Sequence, residues 1–278
     1  MQCMIFKIVQ GGSEVYDMLT RTITSFAALA VFFGALALPP VFFLAVVLLI
    51  SLVMLYECFG AVKCPVNVKA VGYLSGILIF IGSCRGFYLE ALSLAVAAFM
   101  VLMIVLHGKV NYKDILSPAL LTVYVTTFMS FIIKTRYDYS VYEMLIIFIC
   151  AWTSDTGAYF AGTFFGKHKL IPRVSPKKTV EGSAGGIIVC ALSCMLYVFI
   201  ISCMGKRPDW LGYGIAAFSG AIASALTQFG DLAASALKRD CGVKDYGSIF
   251  PGHGGFMDRF DSVIFIAPFV YYFISVVK

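Results

Sequence analysis

Long apolar runs dominate this sequence and restrict the folds available to it. Nine runs are candidate membrane spans, at residues 23–38, 40–58, 68–83, 88–106, 115–133, 140–163, 183–204, 211–234 and 262–277. A helix needs about 20 apolar residues to cross about 30 Å of hydrocarbon, and lipid offers no partners for backbone polar groups. We therefore predict an all-α, polytopic integral membrane protein with about nine transmembrane helices. The first two runs, separated by Pro39 and Pro40, could instead form a re-entrant hairpin.

Composition and charge support this class of protein. The chain is 60% hydrophobic and 13% charged, whereas a soluble domain is roughly half apolar and a quarter charged. The net charge of +6 is spread through an apolar chain without a basic arm or RNA motif, so we expect no nucleic-acid partner. Most of the 21 Lys and Arg residues lie in loops on one side of the predicted spans. Positively charged loops remain cytoplasmic, which predicts a cell (inner) membrane protein whose loops 164–182 and 235–261 face the cytoplasm.

The two halves of the chain differ in their acidic residues. Residues 1–149 carry few charges within their apolar runs and are interpreted as a transmembrane scaffold. More than half of the 15 acids lie between positions 150 and 262, so residues 150–278 are predicted to be the catalytic transmembrane region. No internal repeat is evident, and this argues against a transporter built from inverted repeats.

Three carboxylates near the end of the chain are candidate metal ligands. Asp231 lies in a long apolar run, where a charged group is costly and needs a cation or a proton. Ser235 and Lys238, four and seven residues later, fall on the same helical face. Asp258 and Asp261 share a face at the start of the next helix. Together the three acids could form an oxygen cage suited to Mg²⁺, although salt-bridged or helix-capping roles would also explain them. Zinc is not expected, because the chain has only three histidines and no Cys/His spacing that fits.

The glycine-rich stretch PGHGG, residues 251–255, lies between these acids. Gly254 and Gly255 lack side chains, which lets backbone N–H groups approach a phosphate closely. His253 could bind phosphate or cap the loop. Elsewhere in the chain, the stretch GTFFGKHK at residues 162–169 fits neither a dinucleotide-binding GxGxxG motif nor a Walker loop.

A second basic loop, SPKKTVEG, has the same predicted orientation. Lys177 or Lys178 could hold a triphosphate as a point charge, and an ordinary cytoplasmic loop is the alternative. Glu181 precedes small residues that permit close helix packing. Asp155 lies within an apolar span, where it could line the same cavity or neutralise a lysine.

Read together, these motifs resemble the signature of the phosphatidate cytidylyltransferases, also called CDP-diacylglycerol synthases. The matching positions, all at the family's spacing, are Ser235, Lys238, Arg239, Lys244, Asp245, His253, Gly254, Gly255, Asp258, Arg259 and Asp261. SPKKTVEG and SDTGAYF also resemble family motifs. The resemblance covers residues 150–262, and the N-terminal hundred residues carry no motif that contributes to it.

The resemblance implies that CTP and phosphatidic acid react to give CDP-diacylglycerol and pyrophosphate, with Mg²⁺ and, in some members, a monovalent cation. It also implies a homodimer in the lipid bilayer, with Asp231 and Asp258 on the metal. On this hypothesis Lys238 and Arg239, with Lys244 and Arg259, hold the lipid phosphate and the departing pyrophosphate. A cation-coupled transporter remains an alternative, as does a related cytidylyltransferase or kinase acting on a polyprenol or an ether lipid.

Overall fold

The computed structural model describes residues 30–205, 212–250 and 254–277, most of which are helical. After a helical segment at residues 30–37 (α1), the helices are α2 (Pro40–Ala61), α3 (Val66–Arg85), α4 (Tyr88–Val105), α5 (Lys113–Asp138), α6 (Val141–Phe165), α7 (Val180–Cys203), α8 (Tyr213–Asp240) and α9 (Met257–Val277). Within this described part of the chain, seven helices, all except α1 and α8, are long and apolar enough to cross a membrane. The prediction of an all-α, polytopic membrane protein is confirmed.

The first two predicted spans are only partly accounted for. The start of the span at 23–38 lies outside the described residues. The second forms α2, which has 22 residues, begins at Pro40 and has Pro39 as its N-cap. Proline suits the first turn of a helix, because the N–H it lacks would have no partner there. α2 is therefore long enough to span the membrane by itself.

Helix α8 differs from the seven apolar helices in its buried face. It is 28 residues long and continues past the predicted end at 234 to Asp240. Its buried residues include Ser224, Thr227 and Gln228. Because α8 packs against α6, α7 and α9, these polar side chains face other helices rather than lipid.

A short β-hairpin interrupts the helices where the sequence predicted only a loop. Strand β1 (Lys169–Ile171) pairs antiparallel with β2 (Ser175–Thr179), with Lys169 opposite Thr179. The segment shows no alternation of apolar and polar residues, which is the usual sign of a strand. Thr179 then caps α7, because its side chain accepts the Gly182 N–H at 3.1 Å. The hairpin thus leads directly into α7.

Small residues bring α6 and α7 close together below this hairpin. A Cβ atom added at Gly185 would lie 2.1 Å from the Cβ of Ala161, and one at Gly157 would lie 2.7 Å from the Cβ of Val189. Only glycine fits at such separations, as in other close helix pairs in membranes. The packing predicted for the glycines after Glu181 is therefore present.

The N-terminal helices contact the C-terminal region through α9. Both α2 and α5 pack against α9, and α5 also packs against α6. The aromatic rings of Phe131 on α5 and Tyr271 on α9 are 5.2 Å apart, and the Tyr271 hydroxyl donates to Asp138 Oδ2 at 2.8 Å. The helices interpreted as a scaffold therefore help to fix the position of α9.

Candidate active site

The first part of the site joins α8 to the β-hairpin. Lys178 Nζ on β2 lies 2.7 Å from Asp231 Oδ2 on α8, and Ser235 Oγ donates to Asp231 Oδ1 at 3.2 Å. The polar face predicted for Asp231 and Ser235 is therefore present. The Lys178 Nζ atom is buried, and its contact with Asp231 is an ion pair rather than a well-directed hydrogen bond. A buried ammonium has three donors, so this one retains hydrogen-bonding capacity for an anionic ligand.

The second part joins the end of α8 to the start of α9. Lys238 Nζ lies 2.8 Å from Asp258 Oδ1, and the two side chains are 12% and 2% exposed. Asp258 Oδ2 accepts the backbone N–H groups of Tyr246 at 2.8 Å and Gly255 at 3.0 Å. Lys238, which was predicted to share the helical face of Asp231, forms its ion pair with Asp258. This carboxylate is therefore fixed by three donors from three segments of the chain.

Tyr246 contacts both members of the Lys238–Asp258 pair. Its ring lies 5.5 Å from Lys238 Nζ, within the range of a cation–π interaction. Its hydroxyl donates to the Ala234 carbonyl at 3.0 Å. Burial raises the pKa of this phenol, so the hydroxyl remains a hydrogen-bond donor at neutral pH.

A further acid, Asp261, lies in the first turns of α9 in the same region. Asp261 is 7% exposed and accepts the N–H of Ser262 at 2.7 Å. It lies within electrostatic range of Asp155, Asp231 and Lys238. The Ser262 Oγ atom is buried without a hydrogen-bond partner among the described residues. The region therefore concentrates negative charge and contains a polar atom that its protein neighbours do not satisfy.

A cavity of about 340 Å³, with charged side chains along part of its wall, opens beside Asp231. Asp155, Lys177 and Lys178 line it, and Gln228 lies along its wall. Gln228 is held by α7, because its Oε1 accepts a hydrogen bond from Ser183 Oγ and its Nε2 donates to the Ser183 carbonyl at 3.2 Å. Ligand pockets in proteins start at about 300 Å³, so the cavity can hold much of a small phosphorylated ligand. Asp155, whose role the sequence left open, faces this cavity.

Other predicted residues lie at the edge of this region. Arg239, Lys244, Asp245 and Arg259 are exposed, and none forms an ion pair within the described parts of the chain. Lys177 is also exposed, although it lines the cavity. Exposed cations of this kind can meet a ligand that arrives from water.

The glycine-rich loop is described only in part. His253 lies outside the described residues. Gly254 has a φ of +81°, which favours glycine because a Cβ is strained in this conformation. Its carbonyl accepts the Phe250 N–H at 2.9 Å, and the Gly255 N–H already binds Asp258.

Glu181 has a structural partner at the base of the hairpin. Its carboxylate accepts the backbone N–H groups of Lys167 at 3.1 Å and His168 at 3.2 Å, and it also pairs with His168 Nδ1 at 2.6 Å. These contacts tie the end of α6 to the start of α7. They orient the hairpin that carries Lys178.

The carboxylates do not form the three-acid cage expected from the sequence. In the described residues, only Cys150, Cys190 and Cys194 form a group of three or more His, Cys, Asp or Glu ligand atoms within 4.8 Å of one another. Two of these thiols line a small apolar cavity that is separate from the cavity beside Asp231. Asp231 and Asp258 each pair with a lysine instead, since unscreened carboxylates repel one another.

The donor set nevertheless fits a magnesium ion. Carboxylate oxygens are hard ligands, and Mg²⁺ is usually held by one or two of them, with water and substrate phosphates completing its shell. Asp231 and Asp258 supply such oxygens on adjacent helices. Ser235 Oγ holds Asp231 in position through its hydrogen bond to Oδ1, and the backbone N–H groups of Tyr246 and Gly255 hold Asp258.

Sequence reasoning missed a buried acid that contacts the start of α9. Glu57, near the end of α2, is 3% exposed, and its two oxygens accept the N–H groups of Phe256 at 3.0 Å and Met257 at 2.8 Å. A carboxylate within an apolar run is costly and often functional. Glu57 lies in the run at 40–58, and this is the signal that would have identified it.

Comparisons with known proteins identify a family for the chain. A model of the cytidylyltransferase family matches residues 19–277. A phosphatidate cytidylyltransferase from Staphylococcus aureus (strain COL) is 34% identical over 261 residues, which cover 90% of this chain and 96% of that protein. An enzyme of the same name from Bacillus subtilis (strain 168) is 34% identical over 190 residues, covering 67% of this chain and 68% of that protein. The similarity therefore extends into the N-terminal helices, where the sequence motifs gave no resemblance.

Proposed function

Since this chain belongs to the cytidylyltransferase family, we propose that it transfers the cytidylyl group of CTP to phosphatidic acid in phospholipid biosynthesis. The products are CDP-diacylglycerol and pyrophosphate. The observation that carries the proposal is the buried Lys178 Nζ, with hydrogen-bonding capacity left over, beside a cavity that Asp155 and Asp231 also line. The ammonium can bind phosphate oxygens, and the carboxylates can bind the metal ion that accompanies a nucleoside triphosphate.

The chemistry needs little help with proton transfer. A phosphate oxygen of phosphatidic acid attacks the α-phosphorus of CTP, and the bond from that phosphorus to the bridging oxygen of the β-phosphate breaks. The second pKa of a phosphate monoester is about 6, so the nucleophile is largely ionised at neutral pH. The obstacle is repulsion between two anions, and positioning and charge stabilisation supply most of phosphoryl-transfer catalysis. Lys178 and Lys238 are partly buried cations available for this role.

Mg²⁺ is the proposed cofactor, held by Asp231 and Asp258, with a monovalent cation as a further candidate. When bound, the divalent ion neutralises phosphate charge and polarises the phosphorus that is attacked. Each of the two carboxylates would then exchange part of its contact with a lysine for the metal. Lys178 and Lys238 would be freed to donate to phosphate oxygens.

The proposed location is the cytoplasmic side of the cell (inner) membrane, and the proposed assembly is a homodimer. The hairpin, the end of α8 and the start of α9 meet at one end of the molecule. That end carries the loops richest in Lys and Arg, which favour the cytoplasm. The acyl chains of the lipid substrate can remain in the bilayer while its phosphate reaches the site.

A direct assay tests the proposed reaction. Protein purified in detergent is incubated with CTP, Mg²⁺ and phosphatidic acid, and pyrophosphate release and CDP-diacylglycerol are measured. ATP replaces CTP in one parallel reaction, and a polyprenol or an ether lipid replaces phosphatidic acid in others. Preference for ATP or for another lipid would redirect the assignment to a related enzyme. Ion-dependent uptake into vesicles without any chemical product would support the transporter instead.

The metal-binding role of the two acids gives a separate prediction. Asp231→Asn and Asp258→Asn should each lower turnover by about 100-fold or more, because even outer-shell partners of a metal contribute 10- to 100-fold. Asp114→Asn, the same change at the start of α5, is the matched control and should retain turnover, because Asp114 forms no ion pair within the described residues. Near-normal pyrophosphate release by either site variant would exclude that acid as a ligand.

A further inference from the structure

Glu57 makes a contact between distant parts of the chain that the reaction chemistry does not require. It lies in the last turns of α2, some 200 positions before the residues it binds. Each carboxylate oxygen accepts one backbone N–H, from Phe256 and from Met257. These N–H groups belong to the start of α9, where the first donors of a helix have no partner within the helix. Glu57 therefore caps α9 from another helix.

Two glycines fit around this carboxylate. A Cβ atom added at Gly247 or at Gly255 would lie 2.3 Å from Glu57 Oε1. Real Cβ atoms do not approach an oxygen so closely, so any larger residue would displace the carboxylate or the loop. Two positions in the connection between α8 and α9 are thus shaped to the Glu57 side chain.

The same connection between α8 and α9 also binds the Asp258 carboxylate. The N–H of Gly255 binds Asp258, while the next two N–H groups along the chain bind Glu57. The N–H of Tyr246, which precedes Gly247, binds Asp258 as well. Two carboxylates from opposite ends of the chain therefore share consecutive backbone donors. Moving one of them would disturb the donors of the other.

No cation neutralises Glu57 within the described residues, in contrast to Asp231 and Asp258. Its charge is balanced instead by the backbone donors and by the positive end of the α9 dipole. A buried carboxylate without a counter-ion is costly unless its hydrogen bonds are made. This balance depends on α9 starting at the observed position.

We propose that Glu57 is a positioning residue, which fixes the start of α9 so that Asp258 is held in place for the reaction. The inference rests on the proposed function for its activity readout only. It assigns the N-terminal helices a specific part in the site, through a residue that does not itself contact substrate. Replacing the Glu57 carboxylate by an amide of similar shape should therefore lower kcat more than it weakens CTP binding.

Hydrogen–deuterium exchange on the full-length protein in detergent tests the contact itself. Glu57→Gln keeps one acceptor oxygen but turns an NH₂ group toward the other N–H. Exchange at the amides of Phe256 and Met257 should rise roughly tenfold or more, because hydrogen bonds to charged groups are the stronger kind. Glu143→Gln removes another buried acid, at the start of α6, and should leave this segment unchanged.

Kinetics then separate positioning from a general loss of structure. In Glu57→Gln, kcat should fall by about 10- to 100-fold, the range seen for residues that orient metal ligands, while KM for CTP changes little. Glu57→Asp, which keeps the charge on a shorter side chain, should recover part of the lost kcat. The apparent melting temperature, measured alongside, identifies a variant that has merely unfolded.

A second pair of variants covers the case in which Glu57→Gln does not fold. Gly247→Ala places a methyl group against the carboxylate, whereas Gly60→Ala, one turn after Glu57 on α2, meets nothing within 4 Å. The first should reproduce the exchange and kcat effects and the second should not. Unchanged exchange at the start of α9 in both Glu57→Gln and Gly247→Ala would overturn the proposal. Absence of CTP-dependent turnover in the unmodified protein would instead reject the proposed function and leave the exchange result to stand.

Discussion

At the scale of single residues, the carboxylates Asp231 and Asp258 are each paired with a lysine. Asp258 is almost completely buried, and Lys238 is the only cation paired with it in the described residues. Breaking a buried ion pair by removing one partner costs far more than the pair contributes, because the remaining charge is left uncompensated. These side chains are therefore coupled through stability as well as through catalysis.

Lys238→Met should accordingly destabilise the protein by about 3–5 kcal/mol, the range for an orphaned buried charge. It should also abolish most turnover. The measurement is the apparent melting temperature in detergent, with Arg239→Met as the matched control for stability, because Arg239 is exposed and outside the pair.

The double variant Lys238→Met with Asp258→Asn provides the internal check. Removing both charges should cost less stability than the sum of the two single changes, because residues in contact are not additive. Simple additivity would show that the pair does not carry the stabilisation assigned to it.

At the scale of secondary structure elements, the distance between α6 and α7 sets the cavity. The hairpin joins these two helices, so Lys178 reaches Asp231 only when they pack closely. A Cβ at Gly185 would lie 2.1 Å from that of Ala161, which leaves no room for a side chain. The small residues of this interface therefore act on the site without touching it.

Gly185→Leu should force the two helices apart and raise KM for CTP several-fold, with overpacking costing about 1–3 kcal/mol of stability. Gly214→Leu, at the start of α8, meets nothing within 4 Å and serves as the control for the added bulk. Kinetics at saturating phosphatidic acid report the change. An unaltered KM for CTP in Gly185→Leu would separate the hairpin from nucleotide binding.

At the scale of the whole molecule, the orientation in the membrane determines which substrates can reach the site. Cys203 is exposed at the end of α7, at the opposite end of that helix from the hairpin. Lys244 is exposed in the loop after α8, close to the site. A single α-helix of this length crosses the bilayer, so the two positions should lie on opposite sides.

A membrane-impermeant maleimide tests this orientation. In sealed inside-out vesicles it should label Lys244→Cys in a Cys203→Ser background. In right-side-out vesicles it should label Cys203 of the unmodified protein. The reverse pattern would place the site outside the cytoplasm, where CTP is not available, and would contradict the proposed location.

Much of this arrangement was predictable from local sequence. The apolar runs located the helices, since a backbone in hydrocarbon must satisfy its own hydrogen bonds. The spacings of acids and lysines identified Asp231, Ser235, Lys238 and Asp258 as members of one region. Local sequence did not identify contacts between residues far apart in the chain. It did not show that Lys238 pairs with Asp258, and the loop predicted at 164–182 contains a hairpin.

The sequence by itself therefore determined the class of fold, the approximate positions of most helices and the kinds of chemical group at the site. Periodicity and hydropathy are local properties, and they act on each helix independently. Only the tertiary structure decided which carboxylate meets which lysine, that Gln228 and Asp155 line one cavity, and that Glu57 caps α9 from α2. Such contacts depend on how helices pack, and packing is set by the shapes of many side chains together rather than by any one run of residues.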